Sequence, residues 1–288
     1  MSKLIMMRGL PASGKTTKAK ELIKEYGNFV RVSKDNLRSM LHEGDWNGKK
    51  EKITKSVQLS IVRDLLAKDS NVIVDDTNMR EGDRKKWGDI AKEFKAKFEV
   101  ADMDIQVEVC LERDKLRENK VGSEVIMRMA MQNGLWKAPE GIVICDIDGT
   151  IANIKHRLHF LEDKENKDWK GFFNGVLQDK FRHDVWERVS ALANEGYSIF
   201  LVSARPEQCR QDTHIWLAEN DIVEGRDYVT LFMRGVSDRR DDTEVKQDIL
   251  ELFQEQKIIK VFDDRPKVIR MWREHGLDVE DVGEGKEF

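Results

Sequence analysis

The residues Gly9-Leu10-Pro11-Ala12-Ser13-Gly14-Lys15-Thr16 come just after the apolar run Leu4-Ile5-Met6-Met7, and their reading decides the fold of the first half of the chain. G-x-x-x-x-G-K-[ST] is a P-loop. Its glycines let the backbone curl so that successive N–H groups and a helix N-terminus face phosphates, the lysine reaches the outer phosphates, and the threonine hydroxyl ligates Mg²⁺. Two glycines, a lysine and a hydroxyl at this spacing arise by chance in on the order of one chain per hundred of this length. Gly9, Ser13, Gly14, Lys15 and Thr16 are therefore the expected contacts to ATP, with Thr16 on the metal.

Working outward, the apolar periodicity alternates between short runs and amphipathic stretches. Strands are predicted at 4–7, 29–32, 71–74 and 98–103. Helices are predicted at 15–26, 34–41 (with Ser33 as N-cap), 51–68, 84–94, 107–119 and 124–133. This β-α-β-α order predicts a parallel sheet with helices on its faces and phosphate chemistry at the strand C-terminal ends. Asp35 follows the second strand, where a carboxylate could take the proton of an attacking hydroxyl, with Arg38 one turn later. The plainer alternative is a first-turn helix charge paired with Arg38. Arg113, Arg117 and Lys120 form a basic face suited to closing over a triphosphate, or else a salt-bridged exposed face with Glu112 and Glu118.

A second signature, Asp146-Ile147-Asp148-Gly149-Thr150, follows the apolar run at 142–145. It is the D-x-D-G-T of aspartate-nucleophile phosphatases. A carboxylate beside bound Mg²⁺ can attack phosphorus and form an acyl-phosphate that water later hydrolyses, which is the role expected of Asp146. Asp148 is placed to protonate the leaving oxygen and then deprotonate the water. Ser203 at the end of the strand 198–202 can donate to a phosphoryl oxygen. Arg205 and Lys246 offer positive charge, and Asp263-Asp264 after the strand 258–262 can complete a metal site with Asp146 and Asp148. Helices at 185–194 and 243–254 separate these strands, so a second open α/β sheet is expected.

The bulk properties agree. The chain has 288 residues, near twice the usual domain size, with 36% charged and 40% hydrophobic residues. No apolar stretch approaches the ~20 residues needed to span a bilayer, and no secretory segment precedes the P-loop. Cys110, Cys145 and Cys209 are widely spaced and odd in number, which suggests neither disulfides nor zinc. A cytoplasmic protein without membrane contact is the expectation. The net charge of −4 gives no overall attraction to nucleic acid, so polynucleotide contact must come from local basic clusters. The glycine-bounded stretch 134–141 reads as a linker between domains at 1–138 and 139–288.

Taken together, the P-loop, the Asp35-x-x-Arg38 pair, Asp76-Thr77-Asn78, the Arg113-x-x-x-Arg117 helix and the phosphatase set resemble the bacteriophage polynucleotide kinase-phosphatases over nearly the whole chain, kinase first. The resemblance implies a P-loop kinase followed by a haloacid-dehalogenase-like Rossmannoid phosphatase with a small cap, here about 152–184. It implies ATP-dependent phosphorylation of 5′-hydroxyl polynucleotide ends, with Asp35 as general base and Lys15, Arg38 and Arg117 on phosphates. It also implies Mg²⁺-dependent removal of a 3′-phosphate or 2′,3′-cyclic phosphate through Asp146, Asp148, Ser203, Arg205, Lys246, Asp263 and Asp264. Its further implications are DNA or RNA ends as partners, a homo-oligomer, a ligase acting downstream and, for a phage-encoded chain, the cytoplasm of the host.

Three features depart from that pattern. The segment 156–182, with Trp169, Phe172 and Phe173, is longer than the family leads one to expect; Arg157 is its best phosphate-contacting candidate. Its aromatics read as a small cap core, with base stacking as the alternative. Ala204 stands where the family has glycine, and the tail 283–288 is acidic and glycine-rich. Two other readings stay open: a small-molecule kinase fused to a small-molecule phosphatase, and an end sensor with a decayed site, against which the full catalytic set argues.

Overall fold

The computed structural model describes residues 1–163 and 165–285, so Glu287 and its neighbours in the predicted acidic tail lie outside the described residues. The chain divides into two compact units, residues 1–133 and 134–288.

The first unit runs β1 (Lys3–Arg8), α1 (Lys15–Tyr26), β2 (Phe29–Val32), α2 (Lys34–His42), α3 (Gly48–Ala67), β3 (Asn71–Val74), α4 (Glu81–Glu93), β4 (Lys97–Asp102), α5 (Val107–Lys115) and α6 (Ser123–Gln132). Its four strands are parallel, in the order β2-β3-β1-β4. Because helices cover both faces, the residues pointing each way along a strand are apolar, and these strands read as unbroken apolar runs. Leu4, Met6, Val72 and Val74 pack with Val62, Leu66, Trp87 and Ile90 of α3 and α4. Ile5, Met7 and Ile73 pack against Ala19 of α1 on the other face.

Several helix ends differ from the periodic reading because side chains decide them. Asn47 caps α3 by accepting from Lys49 N and Lys50 N, so the helix starts at Gly48 rather than 51. Asp114 accepts from Val121 N and Gly122 N and turns the chain there, ending α5 at Lys115 rather than 119. Ser33 occupies the N-cap position of α2, but its hydroxyl does not cap; Asp76 Oδ1 accepts from Lys34 N instead, at 2.9 Å.

The second unit runs β5 (Ile142–Cys145), β6 (Ala152–Asn153), a 3₁₀ segment (Lys155–Leu161), α7 (Trp169–Asn174), β7 (Lys180–Phe181), α8 (His183–Asn194), β8 (Ser198–Pro206), α9 (Arg210–Glu219), β9 (Thr230–Arg234), α10 (Asp242–Glu251), β10 (Ile258–Asp263), α11 (Pro266–Glu274) and β11 (Val279–Asp281). The parallel sheet β11-β10-β5-β8-β9 is accompanied by an antiparallel ribbon of β6 and β7. Phe172 and Leu161 of the predicted cap segment are buried in the same core cluster as Val143, Leu201 and Trp216. The stretch read as a linker packs on this unit: Gln256 accepts from Ala138 N and donates to Trp136 O, and the Trp136 ring meets Phe200 edge-on at 5.5 Å. No helix among the described residues is long and apolar enough to cross a membrane.

Candidate active sites

In each unit the chain leaves a central strand for one side of the sheet and later returns to the other, which opens a crevice at the strand C-terminal ends. The P-loop leaves β1 at such a point. Gly14 has φ 95°, a left-handed conformation that a side chain would strain, and a Cβ on Gly9 (φ 151°) would meet Met103 Cβ and Ser13 Oγ at 2.9 Å. Lys15 is buried and folded back, donating from Nζ to Leu10 O at 2.5 Å and to Ser13 Oγ at 3.4 Å. Burial lowers its pKa. Both oxygens that hold it are weak neutral acceptors that a phosphate would replace.

Thr16 Oγ1 donates to Asp75 Oδ2 at 2.8 Å, and Arg31 reaches the same oxygen. Asp76 accepts from Gln58 at 2.7 Å as well as from Lys34 N, and burial raises its pKa. Asn78, with φ 46°, ties the end of β3 to β1 by donating to Met7 O and accepting from Trp87 Nε1. A cleft of about 1710 Å³ opens over the loop, lined also by Asp35, Arg38, Arg113 and Arg117. Arg38 donates to Asp35 at 2.6 Å and to Glu51 of α3 at 3.0 Å. The Asp35 side chain is 83% exposed. Arg117 donates to the buried Asp114 at 3.3 Å, which stations it at the cleft edge. Ser13, Gly14, Lys15, Thr16, Asp35, Arg38, Arg113 and Arg117 thus share one cleft, whereas Gly9 and Lys120 do not line it; Asp75, Gln58 and Glu51 had no motif to mark them.

In the second unit Asp146 leaves the central strand β5, Ser203 lies on β8 to one side and Asp263 ends β10 on the other. Lys246, from α10, bridges Asp146 Oδ1 and Asp263 Oδ2 at 2.7 Å each, fully buried. Asp146 also accepts from Thr150, and Asp263 from Trp272 Nε1. One carboxylate oxygen each of Asp146, Asp263 and Asp264 lies within 4.8 Å of the others. Burial, reinforced by Asp263, pushes Asp146 up to about 7 against the pull of Lys246; burial and then the other two carboxylates push Asp264 up to about 8. Three buried carboxylates against one ammonium leave negative charge uncompensated, and the all-oxygen donor set fits a hard divalent cation. Gly149 makes room for the group: a Cβ there would sit 1.9 Å from Asp264 Oδ2.

The Asp148 carboxylate, expected among the metal ligands, stands outside this cluster because two guanidiniums claim it. Arg205 binds it through Nε and Nη2, and Arg157 through Nη2. Although burial works the other way, Arg157 and Arg205 hold its carboxyl well below the usual carboxylate range. Both arginines are fully buried and share Asp179, a carboxylate that sequence reasoning missed because it sits in no motif. The Phe172 ring stacks under Arg157, 4.1 Å from its guanidinium carbon. Ser203 Oγ accepts from Arg205 N at 3.2 Å, leaving its proton to donate.

Fold and sites together define a P-loop kinase-like unit followed by a haloacid-dehalogenase-like hydrolase unit, and such units imply ATP and a divalent metal. Residues 140–287 match the family model described as the polynucleotide kinase PNKP phosphatase domain, and residues 4–133 match that of an AAA domain. The chain belongs to the family of the polynucleotide kinase PNKP phosphatase domain. It is similar to an Autographa californica nuclear polyhedrosis virus protein named as a bifunctional polynucleotide kinase/RNA ligase, with 30% identity over 303 residues, covering 94% of this chain and 41% of that one. A Schizosaccharomyces pombe bifunctional polynucleotide phosphatase/kinase is 33% identical over 91 residues, 32% of this chain and 18% of its own length. The chain therefore spans less than half of either relative. A chain in a solved structure of the Pnkp1/Rnl/Hen1 RNA repair complex aligns with 99% of this chain and 97% of its own, at 25% identity and a TM-score of 0.43.

Proposed function

We propose that this chain heals nucleic-acid ends, phosphorylating 5′-hydroxyl termini from ATP and removing 3′-phosphates, with Mg²⁺ as the metal at both sites. The observation that carries the reading is the presence, in a chain of this family, of a P-loop cleft with an exposed carboxylate and a complete aspartate-nucleophile site.

In the kinase cleft Lys15 releases Leu10 O and takes the outer phosphates, with Arg113 and Arg117 closing from α5. The Thr16 hydroxyl, which donates to Asp75 here, would be a ligand for the divalent metal. Asp35 accepts the proton of the 5′-hydroxyl, and Arg38, held by Glu51, sets the carboxylate's direction and neutralises charge on the transferred group. In the phosphatase site Asp146 attacks phosphorus, the bond to the 3′-oxygen breaks, and Asp148 supplies the proton that oxygen needs. Asp148 then takes a proton from the water that hydrolyses the acyl-phosphate. Arg157 and Arg205 occupy the Asp148 oxygens and keep the carboxylate ionised in this structure, so substrate phosphate must draw at least one guanidinium away and Asp148 must take up a proton from water before it can deliver one to the 3′-oxygen. The bound divalent ion supplies charge neutralisation at the phosphoryl group, and Asp146, Asp263 and Asp264 would hold it. By the names its relatives carry, RNA ends and a downstream ligase are the fitting partners, and we include a homo-oligomeric state in the proposal.

The test is transfer of labelled γ-phosphate to a 5′-hydroxyl, 3′-phosphate oligonucleotide, with Asp35→Ala and Asp146→Ala alongside. Each substitution is expected to abolish its own reaction and spare the other. An untouched oligonucleotide beside a phosphorylated nucleoside or sugar would replace this reading with the small-molecule one.

A further inference from the structure

The loop between α2 and α3 carries a side chain that neither the fold nor the catalytic sets account for. Trp46 is 66% exposed, yet it lines the same cleft as Asp35 and Arg38. An exposed tryptophan on a helix connection contributes nothing to the core, and its indole is the largest flat apolar surface a side chain offers. Residues 43–55 hold Lys49, Lys50, Lys52 and Lys55 against Glu43, Asp45 and Glu51; Lys50 pairs with Asp45, which leaves Lys49, Lys52 and Lys55 at three-residue spacing along α3. Lys49 and Lys52 are exposed. Lys55 lines the cleft, with only a 4.0 Å approach to Glu51. Glu51 is itself engaged by Arg38, so α3 turns one face toward the position of the acceptor hydroxyl.

An exposed aromatic on a cleft wall, followed on the next helix by lysines of which Lys55 lines the same cleft, suits a single strand, with a base on the ring and phosphates toward the cations. Resting on the end-healing reading, we propose that Trp46 is the stacking platform for a base near the 5′ end of the acceptor strand, with Lys49, Lys52 and Lys55 alongside its phosphates. The ring holds the strand so that the terminal hydroxyl meets Asp35. It also makes a polynucleotide, rather than a free nucleoside or sugar, the preferred acceptor. Every base has a π-face, so the platform is tolerant of sequence.

The experiment measures steady-state phosphorylation of a short single-stranded 5′-hydroxyl oligonucleotide by wild type, Trp46→Ala and Trp46→Phe, varying acceptor and ATP separately. Loss of one stacked base raises the acceptor KM about 5- to 150-fold in Trp46→Ala. Trp46→Phe keeps the acceptor KM within about threefold of wild type, because a ring remains to stack on. The KM for ATP stays at the wild-type value in both variants, which also shows that the P-loop unit is folded. An unchanged acceptor KM in Trp46→Ala overturns the proposal. So does a rise confined to the KM for ATP, which would put adenine on the ring. If the wild type ignores the oligonucleotide, the end-healing reading falls and this inference with it; if the wild type phosphorylates it and Trp46→Ala does so equally well, only the inference falls.

Discussion

Replacing Lys246 with methionine removes the single ammonium from a buried cluster of three carboxylates while keeping the side chain's bulk. In the wild type Lys246 donates to Asp146 and Asp263 at 2.7 Å each and is almost wholly excluded from water. Were all three carboxylates ionised, its removal would take the cluster from two net negative charges to three; Asp146 and Asp264, pushed up to about 7 and about 8, carry only part of that charge at neutral pH. At a separation of about 4–5 Å and an effective dielectric of about 20, each like-charge pair costs roughly 3–4 kcal/mol. Uptake of a proton by Asp146 limits the total, so the loss is set at about 3–5 kcal/mol, as for other buried pairs broken on one side. For a unit of this size that lowers the melting temperature by roughly 6–20 °C. A divalent cation answers the same charge deficit. Thermal unfolding in chelator, then across a Mg²⁺ titration, is therefore expected to show a destabilised variant that gains more from the metal than wild type does. Its phosphatase activity falls even at saturating Mg²⁺, because the nucleophile's orientation depends on Nζ. A Lys246→Met protein that melts within about 2 °C of wild type in chelator would refute the charge argument.

Two further outcomes follow from the second unit. Gly149→Ala places a Cβ 1.9 Å from Asp264 Oδ2 at a φ of 80°; strain of about 1–3 kcal/mol plus displacement of a metal ligand should abolish phosphatase activity while kinase activity persists, measured on the same sample. His214 is half-buried against Tyr228, and desolvation there lowers its pKa from 6.5, so the folded state keeps it neutral where the unfolded chain takes up a proton. Stability is then present above pH 6.5 and lost as pH falls from there toward the lowered folded value; melting curves of His214→Gln should show a flatter slope over that interval than wild type.

What the sequence alone determined is the part of this protein whose chemistry is local. The P-loop is legible because its glycines, lysine and threonine lie within one turn of backbone, and the D-x-D-G-T run because Asp146, Asp148 and the glycine under Asp264 are neighbours in the chain. Strands buried on both faces announce themselves as apolar runs, so the alternation of both units, and with it the sheet order's crevices, could be expected from residues 4–7, 71–74 and 142–145.

Only the tertiary structure decided which charges meet. Lys246 lies 100 residues from Asp146; chain order marked it as a positive charge for the phosphatase set, but only the fold buries it between Asp146 and Asp263. The same holds for Asp179, which binds Arg157 and Arg205 across 22 and 26 residues, and so takes both guanidiniums that the chain order offers to a phosphate. It holds for Trp46, which only the fold places on the wall of the P-loop cleft. Local motifs carry their geometry in the backbone, whereas a buried ion network exists only once burial has removed water and made each charge choose a partner.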